Sequence, residues 1–551
     1  MRLRNFTLLL LIMATRPVYT QTFTEILGRP TNNSVTMSFL PDQPTDVYWE
    51  YGTSPGIYVH SSTTFSVQKD SVLTAIFPGL LPDTRYYYRS RYRASGTISF
   101  SAGTEHMFHT QRPRGSTFTF AIEADPHLDT NSNPAAYALT LQNILSKQPD
   151  FMIDLGDIFM SEKLPVINQT EITNRHLLYR HYFDAVCPSV PLFLALGNHE
   201  GELGWMLNGT SNSLPVMASN TRKYYYPNPL PDSFYSGDTK PEPFVGLREN
   251  YYAWEWGDAL FIVLDPFWYT LSKPDWGWTL GTEQYAWFKE VITGSKAKFK
   301  FVFCHNLLGG KGNDARGGAE YAGMFEMGGH NQDSTWGFGQ SRPGWEKPVH
   351  SLMIENPTTI FFHGHDHFFG MQEKDGMVYQ EVPQPSNRNI TNISASQYGY
   401  VDGIFMPGRG FLLVTVSDTA TRVDYIKTYL ANEENAAHHN GETAYSYQVF
   451  SSANGINDPL VIPVGITLDQ NFPNPFNKET TISYSLPAAN HIQVKVFDVL
   501  GRESMTVVDQ YQQAGKYSFT LNQGKPALSP GVYFYSIKAD HFSRTMKMIC
   551  N

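Results

Sequence analysis

At 551 residues, with 41% apolar and 14% aromatic side chains, the chain is too apolar for disorder and too long for one core, so roughly three or four domains are expected. Its formal charge of -10 lends no support to a nucleic-acid backbone or an anionic membrane as binding partner. The three cysteines, Cys187, Cys304 and Cys550, are too scattered for a disulfide framework or a zinc ribbon.

The first residues, MRLRNFTLLLLIMA, place arginines before an apolar run, with small or polar residues near Thr20 where a peptidase can cut. This predicts a secretory signal peptide over 1–20. The run from Phe6 to Ala14 is too short to span a bilayer and no later segment approaches that length, so no transmembrane segment is expected after signal removal. From 21 to 113, alternating runs such as SVTMSFL, DVYWEYG and RYYYRSRYR are separated by Pro, Gly, Asp and Ser clusters, the pattern of an antiparallel all-β sandwich. Within it, GLLPDTRYYYRSR resembles the end of a fibronectin type III module, in which a tyrosine after the turn anchors a corner between strands. YWEYGTSPG is similar to the small domain that precedes the catalytic domain of purple acid phosphatases.

From 114 to 430, apolar runs each end in a polar cluster: FTFAIEADPH, FMIDLGD, LFLALGNHE, LFIVLDPF, FVFCHN and TIFFHGHDH. Such runs predict strands buried on both faces in a layered α/β domain. NPAAYALTLQNILS, 133–146, has apolar residues at helical spacing and is expected to cover one face. The loops 203–248 and 306–347 have the length of loops that serve a site. The stretch 431–460, with ANEENAAHHNGET, reads as a linker or edge segment, and 461–551 as a C-terminal all-β sandwich. There NFPNPFN, VKVFDVLGR and SPGVYFY closely resemble the type A sorting domain of the type IX secretion system. That resemblance implies a bacterial protein, secreted or held at the cell surface, with the type IX machinery as partner.

The polar clusters carry the chemistry. Asp125 and His127, Asp157, Asn198 and His199, His305, and His365 with His367 each follow an apolar run. In α/β sheets, ligands bind outside the carboxyl ends of strands. Oxygen and imidazole donors without thiolate suit Zn, Mn or Fe, and a carboxylate shared by two ions suits a paired site. His365 and His367, two residues apart on extended backbone, are sent the same way. His363 shares their parity one strand position earlier and is expected to be a buried supporting histidine, while Asp366 is expected to point away.

The ordered blocks DPH, GD, GNHE, CHN and GHDH are similar to those of calcineurin-like metallophosphoesterases. The resemblance implies a central four-layer α/β/β/α domain that hydrolyses phosphomonoesters or phosphodiesters with two divalent or trivalent metal ions (Zn, Mn or Fe). It implies that Asp125, His127 and His367 hold one ion, that Asn198, His305 and His365 hold the other, and that Asp157 bridges them. A water or hydroxide between the ions would attack phosphorus, and His199 would act as general acid. Glu200 and Asp154 are candidates to orient the site from behind, each with local capping as the alternative.

Three departures accompany the resemblance. The tyrosine that colours purple acid phosphatases has no counterpart, and His127 occupies the ligand position after Asp125, so a purple Fe(III) site is not expected. Many family members pair the general acid with an acidic residue three positions after the bridging aspartate, where Met160 stands here. The insertion LLGGKGNDARGGAEYAG brings Lys311 and Arg316 as candidate substrate contacts. Trp205, Trp268, Trp276, Trp278, Trp336 and Trp345 offer a weaker hint of a cleft floor. An alternative from another class is a cell-surface protein that binds glycans or other ligands and keeps a vestigial metal site. Nucleic acid stays open as a phosphate-ester substrate, although the acidic balance disfavours it.

Overall fold

The computed structural model describes residues 22–451, 461–463, 465–487, 489–513, 515–522, 528–539 and 542–551. The expected signal peptide, 1–20, lies outside the described residues. Among those described, no helix is long and apolar enough to cross a membrane, and all three cysteines are buried. The chain is multidomain and rich in strands.

Residues from Phe23 to His109 form two antiparallel sheets, one of Phe23–Gly28, Ser34–Pro41 and Leu73–Pro78, the other centred on Thr45–Gly52 paired with Arg85–Ala94. Alternation turns Trp49, Tyr51, Tyr86 and Tyr88 inward onto Phe39, Phe77 and Phe108. The Tyr86 hydroxyl accepts the Leu81 N–H at 2.9 Å, tying the LPDT turn to the strand that follows. These sheets dock on the next domain through Arg180, fully buried, which donates to Thr24 Oγ1 and Ser38 Oγ at 3.0 Å each.

In the central domain, β1 (Phe118–Glu123), β2 (Phe151–Asp154) and β3 (Leu192–Leu194) run parallel, and β8 (Gly410–Val416), β9 (Ala420–Lys427) and β10 (Thr443–Phe450) extend the sheet antiparallel from β1. β10 falls inside the stretch read as linker or edge segment. Its alternating buried positions, Tyr445, Tyr447 and Val449, belong to the core between the sheets, and Val461–Pro463 pairs on its far side. The second sheet has β4 (Ala259–Val263), β5 (Phe299–Phe303), β6 (Ile360–His363) and β7 (Met377–Glu381) parallel at its centre.

Alternation divides each run between two cores. Phe118, Phe120 and Ile122 of β1 meet Phe261, Phe301, Phe303 and Phe362 of the other sheet. Phe120 lies 5.4 Å from Phe151 and 5.1 Å from Phe261, ring to ring. Each buried phenylalanine contributes about 1.5–3 kcal/mol. Opposite residues of the same strands, Ala121 and Met152, pack against helices α1 (Pro134–Lys147) and α2 (Gln169–Phe183). Val302, Cys304 and Phe361 pack against α3 (Thr282–Gly294) and α4 (Val349–Glu355). Helix α1 starts where the Asn133 side chain accepts the Ala135 and Ala136 N–H groups and Pro134 supplies a first-turn φ. Its Tyr137, Leu141 and Ile144 face the sheet.

The C-terminal region is all-β, with sheets of three and four strands. They enclose Ile482, Tyr484, Ile492, Val494, Val496, Tyr535 and Ile537.

Candidate metal centre

The parallel strands of both sheets point their carboxyl ends to one place. Asp125 and His127 follow β1, Asp157 follows β2, Asn198 and His199 follow β3, His305 follows β5, and His365 and His367 follow β6. Asp125, His127, Asp157, His365 and His367 have φ of +62°, +48°, +58°, +80° and +71°. For non-glycine residues this left-handed backbone costs about 1–3 kcal/mol each and persists only where the surroundings over-determine it. The loops press together: a Cβ on Gly197 would lie 2.2 Å from Asp157 Oδ1, and one on Gly364 would lie 2.7 Å from Asp125 Oδ2.

Two clusters result, Asp125 with His127 and the half-buried His367, and Asp157 with His305 and His365, all three buried, the donor atoms of each within 4.8 Å of one another. His127 Nε2 and His367 Nε2 are 3.1 Å apart. Asp125 Oδ1 lies 3.6, 3.6 and 3.4 Å from Nε2 of His127, His305 and His367. Asp157 Oδ2 lies between the clusters, 3.0 Å from His305 Nε2 and 3.9 Å from His127 Nε2. Among the described residues, Asp125 Oδ1, Asp157 Oδ2, Asn198 Oδ1 and His305 Nε2 are buried with no aligned hydrogen-bond partner. Leaving such atoms unpaired is costly unless a cation takes them up.

Second contacts choose which ring nitrogen faces the cluster. His305 Nδ1 donates to Leu155 O at 2.9 Å and His365 Nε2 to Asp314 O at 2.7 Å, leaving His305 Nε2 and His365 Nδ1 as lone-pair donors. Asp125 Oδ2 accepts the His365 N–H at 2.9 Å, and Asp157 Oδ1 the His199 N–H at 2.8 Å.

The electrostatics call for positive charge. Burial raises the carboxyls of Asp125 and Asp157, yet neighbouring imidazoles outweigh it and hold both below the carboxylate range: His367 and His305 for Asp125, His305 and His199 for Asp157. Burial opposes a charge on His305 too, but Asp157 and Asp125 push its pKa up to about 10. Metal cations placed among these carboxylates meet the same demand, so the residues fit a metal centre in both donor chemistry and charge.

The supporting residues fall as follows. Glu200 spans two ligand loops, its Oε1 accepting the Ile158 N–H and its Oε2 the Gly197 N–H, each at 2.6 Å. Burial and then the Asp157 carboxylate push its pKa up to about 8. Asp154 accepts the Gly156 N–H at 2.9 Å, and burial, then its neighbour Glu123, drives its pKa well upward. His363 is buried 2.8 Å from Glu381 Oε2, and burial takes its pKa down to about 3. Asp366 turns away from the centre to Arg316, Gly317 N–H and the Tyr400 hydroxyl. Arg316 donates to His365 O at 2.9 Å and Asp366 Oδ1 at 2.8 Å, and Lys311 donates to Gln397 O at 2.6 Å. Trp268 and Trp278 are buried, and Trp345 stacks on Tyr285 at 3.8 Å. Packing accounts for these three tryptophans.

Two residues escaped the sequence reading. Glu162, on a short turn five positions after Asp157, meets His199 Nδ1 at 2.5 Å. It is the acidic partner that Met160 could not supply, displaced by two residues in the sequence. Burial lowers the His199 pKa, but Asp157 and Glu162 together raise it above the ordinary value. Glu381, the last residue of β7 and in register with His363, accepts the N–H groups of Asp366 and His367 at 3.0 Å each. MVYQE gives three apolar residues before Gln380, too short a run to mark the acid that ends it.

Residues 118–369 match the calcineurin-like phosphoesterase family, and residues 470–551 match the secretion system C-terminal sorting domain. A comparison with curated proteins gives no significant match. Among solved structures, the chain is similar to PhoD at 15% identity and a TM-score of 0.59, over 80% of this chain and 91% of that one. It is similar to purple acid phosphatase PPD1 from yellow lupin (Lupinus luteus) seeds at 14% identity and a TM-score of 0.53, over 80% of this chain and 77% of that one. At such identities the likeness is one of fold. The family match over residues 118–369 takes in every residue of the two donor clusters, from Asp125 to His367.

Proposed function

We propose that this is an exported bacterial phosphoesterase that hydrolyses phosphomonoesters or phosphodiesters at a dinuclear metal centre, carried out of the cell by the type IX secretion machinery and released or kept at the surface. The observation that carries the reading is the convergence of buried, unpartnered carboxylate, amide and imidazole donors at the strand ends of both sheets. We assign Asp125, His127 and His367 to one ion, Asn198, His305 and His365 to the other, and Asp157 to both. Two ions of Zn, Mn or Fe bound there supply Lewis acidity toward phosphoryl oxygens and lower the pKa of water.

The chain's own residues do the rest. His199, its Nε2 3.8 Å from Asp157 Oδ2, is assigned the proton for the leaving oxygen. Glu162 fixes the ring from its Nδ1 side and favours its charged form. Glu200 and Glu381 hold the ligand loops by their main-chain N–H groups. Of the two loop cations, Arg316 stands beside His365, the better placed to meet a substrate oxygen. We read the two sheets and their helical covers as the four-layer α/β/β/α arrangement, and the N-terminal sheets, with the Tyr86 corner, as a fibronectin type III-like module.

Hydrolysis of p-nitrophenyl phosphate and bis-p-nitrophenyl phosphate by the Mn- or Zn-loaded mature chain, with Asp157→Asn as blank, tests the reading. Turnover above the blank supports it, and the preferred ester chooses between monoester and diester. Absence of turnover on both overturns it.

A further inference from the structure

Lys273 holds a partly covered side chain against aromatic rings. Its side chain is 23% exposed, and its ammonium lies 4.1 Å from the ring centre of Trp205 and 5.1 Å from that of Trp278. Among the described residues no acceptor is within hydrogen-bond distance of its Nζ. The nearest carboxylate oxygen, Asp314 Oδ1, is 3.9 Å away on a side chain 65% exposed. Other partly covered lysines are satisfied: Lys223 donates to Val245 O and Leu247 O, Lys300 to Ile292 O and Asn356 O, and Lys427 to Pro407 O. An ammonium held over two indole rings, with its donors open to solvent, can meet an anion that arrives from outside.

Its position ties it to the centre on two sides. Asp314, which Lys273 faces, accepts His365 Nε2 through its carbonyl. Glu162, which holds His199, also acts on the Lys273 charge. Beneath it an aromatic wall leads back to a metal ligand: Trp205 to Trp278 at 5.7 Å, Trp278 to Phe267 at 6.1 Å, and Phe267 to His305 at 6.2 Å. That wall packs on Leu196 and Leu203, which flank the GNHE loop.

We infer that Lys273 recognises a second anionic group, a carboxylate or phosphate, on the organic part of the substrate. The inference rests on the phosphoesterase reading and deepens it: the preferred substrates are phosphate esters whose alcohol portion carries its own negative charge. Lys273 is then a specificity-determining contact.

The test is equilibrium binding of two phosphonates that are not turned over, phenylphosphonate and 4-carboxyphenylphosphonate, to the Mn- or Zn-loaded full chain by calorimetry. The expected result is at least tenfold tighter binding of the carboxylated compound by the wild type, and a ratio near one for both Lys273→Met and Lys273→Gln. Methionine keeps the apolar stem on Trp205, so a folded variant is available even if glutamine unsettles the wall. The same preference in wild type and variants overturns the role of Lys273, as does equal binding of the two compounds by the wild type. A charge-dependent ratio in a metal-loaded chain that hydrolyses no phosphate ester supports Lys273 and overturns the phosphoesterase reading alone, and binding of neither compound overturns both.

Discussion

The Glu162 carboxylate meets His199 Nδ1 at 2.5 Å from a turn whose Ser161 N–H donates to His199 O at 2.8 Å. The same few residues thus hold the ring and the backbone of the proposed proton donor. His199→Ala is expected to lower kcat about 10²–10⁴-fold. Glu162→Gln keeps the shape and removes the charge, and is expected to cost about tenfold, short of the alanine variant. Steady-state kinetics on p-nitrophenyl phosphate would check the order, and a Glu162→Gln loss as large as that of His199→Ala would contradict it.

Gly364 lets the histidine loop sit against Asp125. A methyl group there meets Asp125 Oδ2 at 2.7 Å and Ala124 Cβ at 2.8 Å, both on a loop already in left-handed backbone. Gly364→Ala is expected to cut metal affinity about 10–100-fold, read as metal content after dialysis against a chelator. Wild-type metal retention in that variant would mean that the loop yields freely.

Glu25 makes the N-terminal domain sensitive to pH. Its side chain is buried and accepts Trp49 Nε1–H at 2.7 Å, and burial raises its pKa from 4.5 to about 8. Between those values the folded chain holds a proton that the unfolded chain has released, so stability falls as pH rises. The contribution is complete below pH 4.5 and disappears as pH approaches 8. Asp184, beside the Glu25 N–H at 2.6 Å, has its pKa raised to about 6 by burial and adds to the same trend. Urea midpoints at pH 5 and pH 8 should differ for the wild type and differ less for Glu25→Gln, which keeps the acceptor without the ionisation and leaves the smaller Asp184 contribution.

Arg248 neutralises two buried acids, Asp265 Oδ2 at 2.8 Å and Glu202 Oε2 at 3.0 Å, all three side chains about 1% exposed. Glu202 keeps Arg222 as a charged partner, whereas Asp265 is left with neutral donors, the Asn250 amide and the Phe267 N–H. Arg248→Met is therefore expected to destabilise the central domain by about 3–5 kcal/mol, and Arg248→Lys by less. A melting temperature unchanged in the methionine variant would show that the network adds nothing net.

The main elements of the centre were legible in the sequence because each ligand block closes an apolar run. FTFAIEADPH, FMIDLGD, LFLALGNHE, FVFCHN and TIFFHGHDH each announce a buried strand by their texture and a candidate donor by their end. Strands that run parallel place those ends on one side, so local pattern and topology carry the same message. Glu162, Glu381 and Lys273 belong to another kind of residue. An acid on a three-residue turn, an acid ending a neighbouring strand and a lysine in a loop have no periodicity that separates them from solvated charges. β10 was equally veiled, because a half-polar strand beside a polar bridge resembles a linker until a partner strand pairs with it. What the residue pattern determined by itself was which polar groups end the buried strands. Tertiary structure decided which groups hold them, because a side chain's partner across a loop depends on how separate segments approach in space, and spacing along the chain does not encode that approach.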